Sequence, residues 1–431
     1  MRTYTELFRV SEFTSLFAAS SARTAASTVT SLALGTLVYS ATGSPLLSAL
    51  VMFGPSLAQL AGASLLLSAA DRIPPRAALT WLSLLFALGT CAQALPGSGV
   101  AAIFAVDIVL GVLSSLGGGV QYGLLTEILP ADGYMLGRSV VNMSVGLMQI
   151  VGYAAGGILV NVLSARGTLL AGAALYVVSG CLALFGLPRR TPRVAGRPSV
   201  AQTWRNNRLL LASVPRRYVY LALCVPNGLV VGCESLFVAY SPRHAGVLFA
   251  CTAVGMLAGD TLAGRFVSPG WRDRLGPWMR LLLACPYLVF IVHPALTVAC
   301  VACAIASVGY SATLMLQQRL MALTPDELSG HALGLHLSGM LAMQGVGAAL
   351  AGMIAEWTSP AIGMTVMAAT SVAVTLALAP GLRSRAAAAE NTARDTAAGL
   401  SCLRWPASSS WGTRWSRGRR HGPALNTEGA R

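Results

Sequence analysis

The sequence predicts an all-α integral membrane protein, with twelve transmembrane helices in two pseudo-symmetric six-helix bundles. Three observations lead there. The 431 residues are 55% hydrophobic and only 10% charged, outside the range of a soluble domain of that length. Apolar runs long enough for an α-helix to cross about 30 Å of hydrocarbon recur along the chain. Landmarks of the first half also return in the second at a nearly fixed offset.

The expected spans are 13–40, 44–69, 77–95, 99–125, 139–162 and 167–187, then 218–240, 244–263, 279–292, 295–317, 332–357 and 361–380. The first carries Ser20, Arg23, Ser27 and Thr30 at helical spacing, and the second ends in ADRIPPR. The fourth holds Asp107, Ser114 and Gln121, one every seventh residue and so on one face, with Gly111 and Gly118 beside them. The fifth contains GYAAGG. In the seventh, Asn227 and Glu234 share a face. The ninth, RLLLACPYLVFIV, is short and contains Pro286, which a membrane bundle tolerates because neighbours satisfy the carbonyl it frees. In the tenth, Tyr310 and Gln317 share one face, Ser311 and Gln318 the next. Spans three, six, nine and twelve carry no charge away from their ends. This three-fold rhythm suits a bundle in which the first helix of each triplet lines a central cavity and the third faces lipid.

Residues 188–217 are polar, basic and punctuated by proline, and they divide the chain into bundles 1–187 and 218–380. The tail, 381–431, is rich in Arg, Ala and Ser and reads as a disordered cytoplasmic extension. Every basic residue is arginine. With both termini in the cytoplasm, all but Arg23, Arg166 and Arg243 fall on the cytoplasmic side, as the positive-inside rule requires of a multi-pass protein of the cell membrane. The net charge of +15 is therefore an orientation signal, and nucleic acid is not expected as a partner.

The nine cysteines are scattered through apolar runs, and the Cys300–Cys303 pair lies inside a span, where small core residues are expected and not a metal site. No His-rich metal constellation, nucleophile elbow or phosphate loop occurs, so the chain reads as a non-enzyme without a cofactor.

A shift of 195 lays MQIVGYAAGG (Met148 to Gly157) over MQGVGAALAG (Met343 to Gly352), and a shift of 193 lays Gly62–Arg72 over Gly255–Arg265. The small residues Gly152, Gly156, Gly157, Gly347 and Gly352 are expected to let helices approach closely.

Twelve spans split six and six by a basic loop, with ADRIPPR after the second, resemble the major facilitator superfamily of secondary transporters, and in particular its bacterial drug-efflux members. Asp71, Arg72 and Arg76 match the superfamily's loop motif, while Leu67 and Pro74 stand where glycines are usual. The resemblance implies a cytoplasmic gate built from Asp71, Arg72 and Arg76 and, in the second half, from Asp260, Gly264 and Arg265. Drug antiporters carry a fifth-helix motif ending in Gly-Gly; GYAAGG keeps Gly152, Gly156 and Gly157 but has Tyr153 in place of its proline.

A charge at the bilayer centre costs about 2.5–3.5 kcal/mol and each good apolar residue returns about 0.3–0.6, so Glu234 survives in its span and marks a pathway or a partner. Arg23 and Asp107 are expected to pair across the first and fourth helices. Glu234 is then left as the titratable group that takes up and releases a proton. Ser27, Ser114, Gln121, Asn227, Tyr310, Gln317 and Gln318 are expected to line the substrate cavity. His331 and His336 read as interfacial residues without a role. The leading expectation is proton-driven efflux of a small molecule by a monomer rocking about a midplane site. A metabolite importer or facilitator, and a non-transporting receptor or assembly factor, stand as alternatives.

Overall fold

The computed structural model describes residues 4–66, 73–190, 200–266, 269–325 and 328–402. Those as far as Arg383 belong to one compact unit. A short α1 (Tyr4–Phe8) precedes α2 (Ser11–Thr42), which Gly43 ends in the left-handed conformation that glycine adopts freely. Ser44 caps α3 (Pro45–Phe53), its Oγ accepting from Leu47 N at 3.2 Å with Pro45 in the first turn, and Gly54 separates α3 from α4 (Pro55–Leu66). Then come α5 (Pro75–Ala94), α6 (Val100–Ile128) and α7 (Ala131–Gly186). The last is two spans joined at Ser164, whose φ of 73° and ψ of 166° break the helix.

The linker carries α8 (Val200–Ala212), and the seventh span is α9 (Val214–Ser235) followed by a single turn, α10 (Phe237–Tyr240). After α11 (Ala245–Arg265), the ninth span is α12 (Pro269–Leu282) continued by a 3-10 stretch, Cys285–Val292. The tenth is α13 (Leu296–Val308), a 3-10 turn at Gly309–Ser311 and α14 (Ala312–Ala322). α15 (Ser329–Trp357) and α16 (Pro360–Cys402) complete the chain.

Ten stretches are long and apolar enough to cross a membrane, and one of them, Leu136–Gly186, has 51 residues and is the bent pair. α2, 32 residues long, is held below the same hydropathy by its Ser, Thr and Arg23, and with it the described residues supply the twelve expected crossings. Two boundaries differ from expectation. The ninth crossing starts near Arg274 because Pro286 shortens only its apolar part, and α16 runs on to Cys402, so the beginning of the tail expected to be disordered is helical, as its alanine-rich composition favours.

Within the first half α2 packs on α7, and within the second α9 packs on α15. Across the halves α7 meets α11 and α15 meets α3 and α4. The repeat explains these contacts. A methyl group built on Gly152 would strike Thr28 of α2, and one on its counterpart Gly347 would strike the Gly228 carbonyl of α9. Gly157 and its counterpart Gly352 point the other way: built methyls would lie 2.9 Å from Gly246 Cα and 2.7 Å from Leu46 Cα, both in the opposite half. A methyl built on Gly156 would lie 3.3 Å from Val29 Cα of α2. In lipid, where burial of apolar surface does not drive helices together, such backbone proximity is what van der Waals cohesion requires.

At one end the halves share a single apolar core, in which Leu32, Val38 and Val51 pack with Val230, Phe237 and Phe249. At the end carrying α1 the cores are separate, one around Phe13 and Leu125, the other around Tyr220 and Leu320. The hydrogen bonds between the halves follow the same division. Ser44 Oγ donates to Glu356 Oε2 at 2.7 Å, Leu46 N donates to the same oxygen at 3.3 Å, Tyr39 Oη donates to Ala239 O, and Asn161 Nδ2 donates to Arg243 O at 3.1 Å. All four lie at the shared-core end, so among the described residues the halves are clamped there and have separate cores at the other.

Candidate functional site

Between the halves lies a cavity of about 440 Å³, lined by Phe53, Gln149 and Tyr153 of the first half and by α9, α11, the 3-10 turn at Tyr310, α14 and α15 of the second. Glu234 is in its wall, and its Oε1 accepts hydrogen bonds from Tyr310 Oη at 3.0 Å and Tyr287 Oη at 3.3 Å. Each member of this trio comes from an irregularity. Glu234 ends α9 just before the turn into α10, Tyr310 sits in the 3-10 turn that interrupts the tenth span, and Tyr287 follows Pro286 in the 3-10 stretch of the ninth. Interrupted helices of this kind recur where membrane proteins build binding sites, because they re-aim side chains and loosen backbone groups. Among the described residues no arginine lines the cavity. Among the described residues no cation lies within ion-pair distance of Glu234, since the ion pairs found join Arg190 to Glu12 and Glu127.

Asn227 and Gln317 line the same cavity, as does Asp260. Asp260 was expected at the gate. It lies five residues before the end of α11, within reach of the open chamber. His336, expected at the interface, is 1% exposed, lines the cavity and lies 3.0 Å from Gln317 through its Nε2. It stands a full two turns into α15, which carries it inward from the surface.

Arg23 and Asp107 do not pair. The Arg23 guanidinium donates from Nη2 to Gln121 Oε1 at 2.9 Å, Gln121 Nε2 donates onward to Ser20 Oγ at 2.8 Å, and Gly117 leaves room for Nη1. Asp107 is ten residues from Gly117 on the same helix, about 15 Å away at 1.5 Å per residue, so opposite charge alone could not bring it level with Arg23. Asp107 instead lines a second cavity of about 250 Å³, formed wholly by the first half, with Ser27, Ser114, Gln93 and Tyr176.

Gln121 thus serves Arg23 and lies outside the central cavity. Gln121→Leu removes the acceptor from a charged donor, and the expected cost is about 1.5–3 kcal/mol, read as a lower melting temperature of the purified protein; an unchanged value would show that the guanidinium is satisfied otherwise.

Gln318, about 100° round the helix from Gln317, turns away from the central cavity and lines a groove beside Gly264. Arg76 is half-buried in the first turn of α5 and Arg265 is exposed at the end of α11. Asp71 and Arg72 lie outside the described residues. The sixth and ninth spans each present an exposed apolar face, with Phe185 and Val292, and each also carries a buried tyrosine, Tyr176 and Tyr287. The only sequence signal for Tyr287 was its place next to Pro286.

The Major Facilitator Superfamily model matches residues 16–336. Among solved structures, the nucleoside transporter NupG is similar with a TM-score of 0.71 at 11% identity, over 86% of this chain and 100% of that one. A POT family transporter in complex with 5-aminolevulinic acid gives 0.68 at 12% identity over 86% and 96%. A bacterial homolog to the human lysosomal transporter Spinster, in its inward-facing and occupied conformation, gives 0.62 at 15% over 86% and 91%. At such identities the likeness is one of fold. No curated protein sequence matches the chain. The family match over most of the chain, together with two helical halves clamped at one end around a shared cavity, makes this chain a member of the Major Facilitator Superfamily and a multi-pass membrane transporter.

Proposed function

We propose that the chain exports a small amphiphilic compound across the cell membrane in exchange for protons. The observation that carries this reading is Glu234, a carboxylate in the cavity between the halves, held by two phenols and facing no cation among the described residues. An intramembrane carboxylate without a counter-charge marks a pathway. It is at its lowest cost in hydrocarbon when protonated and at its most useful to a substrate when ionised.

A proton and a substrate that contest one carboxylate displace each other, and displacement in a carrier that alternates between two faces produces exchange. Protons entering down their gradient then send the substrate outward. The arginine distribution favours a cytoplasmic position for both termini; with that orientation the unclamped end, and the cavity in this conformation, face the side from which an exporter loads. The aromatic and methionine side chains Phe53, Phe249, Met256 and Met340 suit an apolar body.

The test is transport in reconstituted vesicles. An imposed pH gradient, acidic on the side the substrate leaves to, should drive loss of a labelled amphiphile and dissipate faster in its presence. Transport that ignores the gradient overturns proton exchange.

A further inference from the structure

Beyond a carboxylate, the central cavity has a second polar level. Asn227 lies seven residues before Glu234 on α9, about 10 Å along the helix axis at 1.5 Å per residue. Gln317 follows Tyr310 by the same interval on the facing helix, and all four line the cavity. The side chains therefore form two rungs. The upper is ionisable, Glu234 with Tyr310 and Tyr287. The lower is neutral, Asn227 with Gln317 and His336. Between them the wall is apolar, with Val231, Leu314 and Met340.

The lower rung is built and incompletely used. The Gln317 amide Nε2 is a donor, so its 3.0 Å contact makes His336 Nε2 the acceptor and leaves the imidazole proton on Nδ1, which faces Cys224 Sγ at 4.0 Å. Both imidazole nitrogens are thereby engaged, and the ring holds Gln317 in place. Asn227 is different. It is 5% exposed, and its Oδ1 is buried without a hydrogen-bond partner among the described residues. Buried polar groups are nearly always partnered, and an orphan in the wall of a ligand cavity points to a partner that arrives with the ligand. Asp260 lines the cavity as well and adds negative charge, with no arginine among the described lining residues to offset it.

We propose that the cavity recognises an elongated organic cation by both ends, with a basic nitrogen at Glu234 and a neutral hydrogen-bonding group, such as a hydroxyl or an amide, at Asn227. The proposal rests on the reading of this cavity as the transport site and supplies its substrate class. The apolar wall accepts an aromatic or alkyl body between the two ends, and the fixed separation of the rungs sets the length. A cation lacking the distal polar group leaves Asn227 unpartnered and binds less well, in the way that sites built around a substrate hydroxyl reject analogues without it.

Equilibrium binding to the purified full chain in lipid nanodiscs tests this with three probes of matched shape. Tyramine carries both groups, phenethylamine lacks the hydroxyl, and N-acetyltyramine lacks the positive charge. Tyramine is expected to bind about tenfold more tightly than either of the others. With Asn227→Leu, tyramine should lose its advantage over phenethylamine. Glu234→Gln should bring it to the level of N-acetyltyramine. Should Asn227→Leu fail to fold, Gln317→Leu tests the same rung, and the comparison of probes on the unaltered protein needs no variant.

Equal binding of tyramine and phenethylamine, or a hydroxyl advantage that persists in Asn227→Leu, overturns the two-ended site, and so does absence of binding by all three. These measurements involve no gradient. A hydroxyl advantage that depends on Asn227 in a protein whose transport ignores pH would sink proton exchange and leave the two-ended site standing.

Discussion

Glu234→Gln abolishes proton-driven transport in vesicles while the protein stays folded. Glutamine keeps an oxygen at the position that accepts from Tyr310 and Tyr287, so the trio and the irregular turns that carry it are retained. What the substitution removes is the charge and the site of proton uptake. Energetic coupling between two ligands of one carrier amounts to about 1–3 kcal/mol, or roughly 5–150-fold, and gradient-driven efflux is expected to fall by the upper part of that range. Movement of substrate down its own gradient should survive at a reduced rate. A pH-sensitive dye trapped in the vesicles reads the first effect and a melting curve checks the fold. If the variant still acidifies or alkalises the lumen as the unaltered protein does, Glu234 is not the coupling group.

Valine at Gly157 or Gly352 forces the clamped end open. The methyl positions there lie 2.9 Å from Gly246 Cα and 2.7 Å from Leu46 Cα, both backbone atoms that cannot rotate away. Overpacking of this kind costs about 1–3 kcal/mol. It acts only on the conformation in which these helices touch, so the equilibrium between clamped and unclamped forms shifts by roughly 5–150-fold. Transport then slows by about tenfold or more because one of the two alternating forms is depleted. Spin labels at Thr42 and Thr358, on either side of the clamp, should move apart. Gly347→Val is the control. Its neighbour is the Gly228 carbonyl within the same half, so it should lower the melting temperature without lengthening that distance. Labels that stay together in Gly157→Val would mean that this end does not open during the cycle.

Hydropathy made the fold legible, because in a bilayer every backbone group must be satisfied within its own span and length alone then identifies the helices. The repeat gave more. The same ten-residue alignment that paired Gly157 with Gly352 paired the two places where the halves cross. Helical periodicity also put Asn227 with Glu234 on one helix face and Tyr310 with Gln317 on another, and all four line the cavity between the halves.

It failed where helices are not regular or where height matters. Tyr287 belongs to a span that reads as lipid-facing on a straight helix, and only the 3-10 stretch after Pro286 turns it toward Glu234. Arg23 and Asp107 attract each other in a list of charges, yet the rise of α6 separates their levels. The polar residues fall into two chambers, one holding Asp107 and lined by Val51, Met52, Pro55 and Gln59 of α3 and α4, the other holding Glu234 and lined by Phe53, a division that no spacing in the sequence encodes.

The crossings at Gly157 and Gly352 are related as the two halves of an isologous dimer interface are, but they sit in one polypeptide. In a true two-fold dimer a substitution alters both contacts at once. Covalent joining uncouples them, and the residues next to these glycines show what that freedom permits. Tyr153 and its counterpart Ala348 occupy equivalent places, yet Tyr153 stacks on Phe249 with centroids 4.6 Å apart and lines the chamber, while Ala348 is a fully buried methyl. One crossing has become part of the chamber wall, and the other has kept to close packing alone.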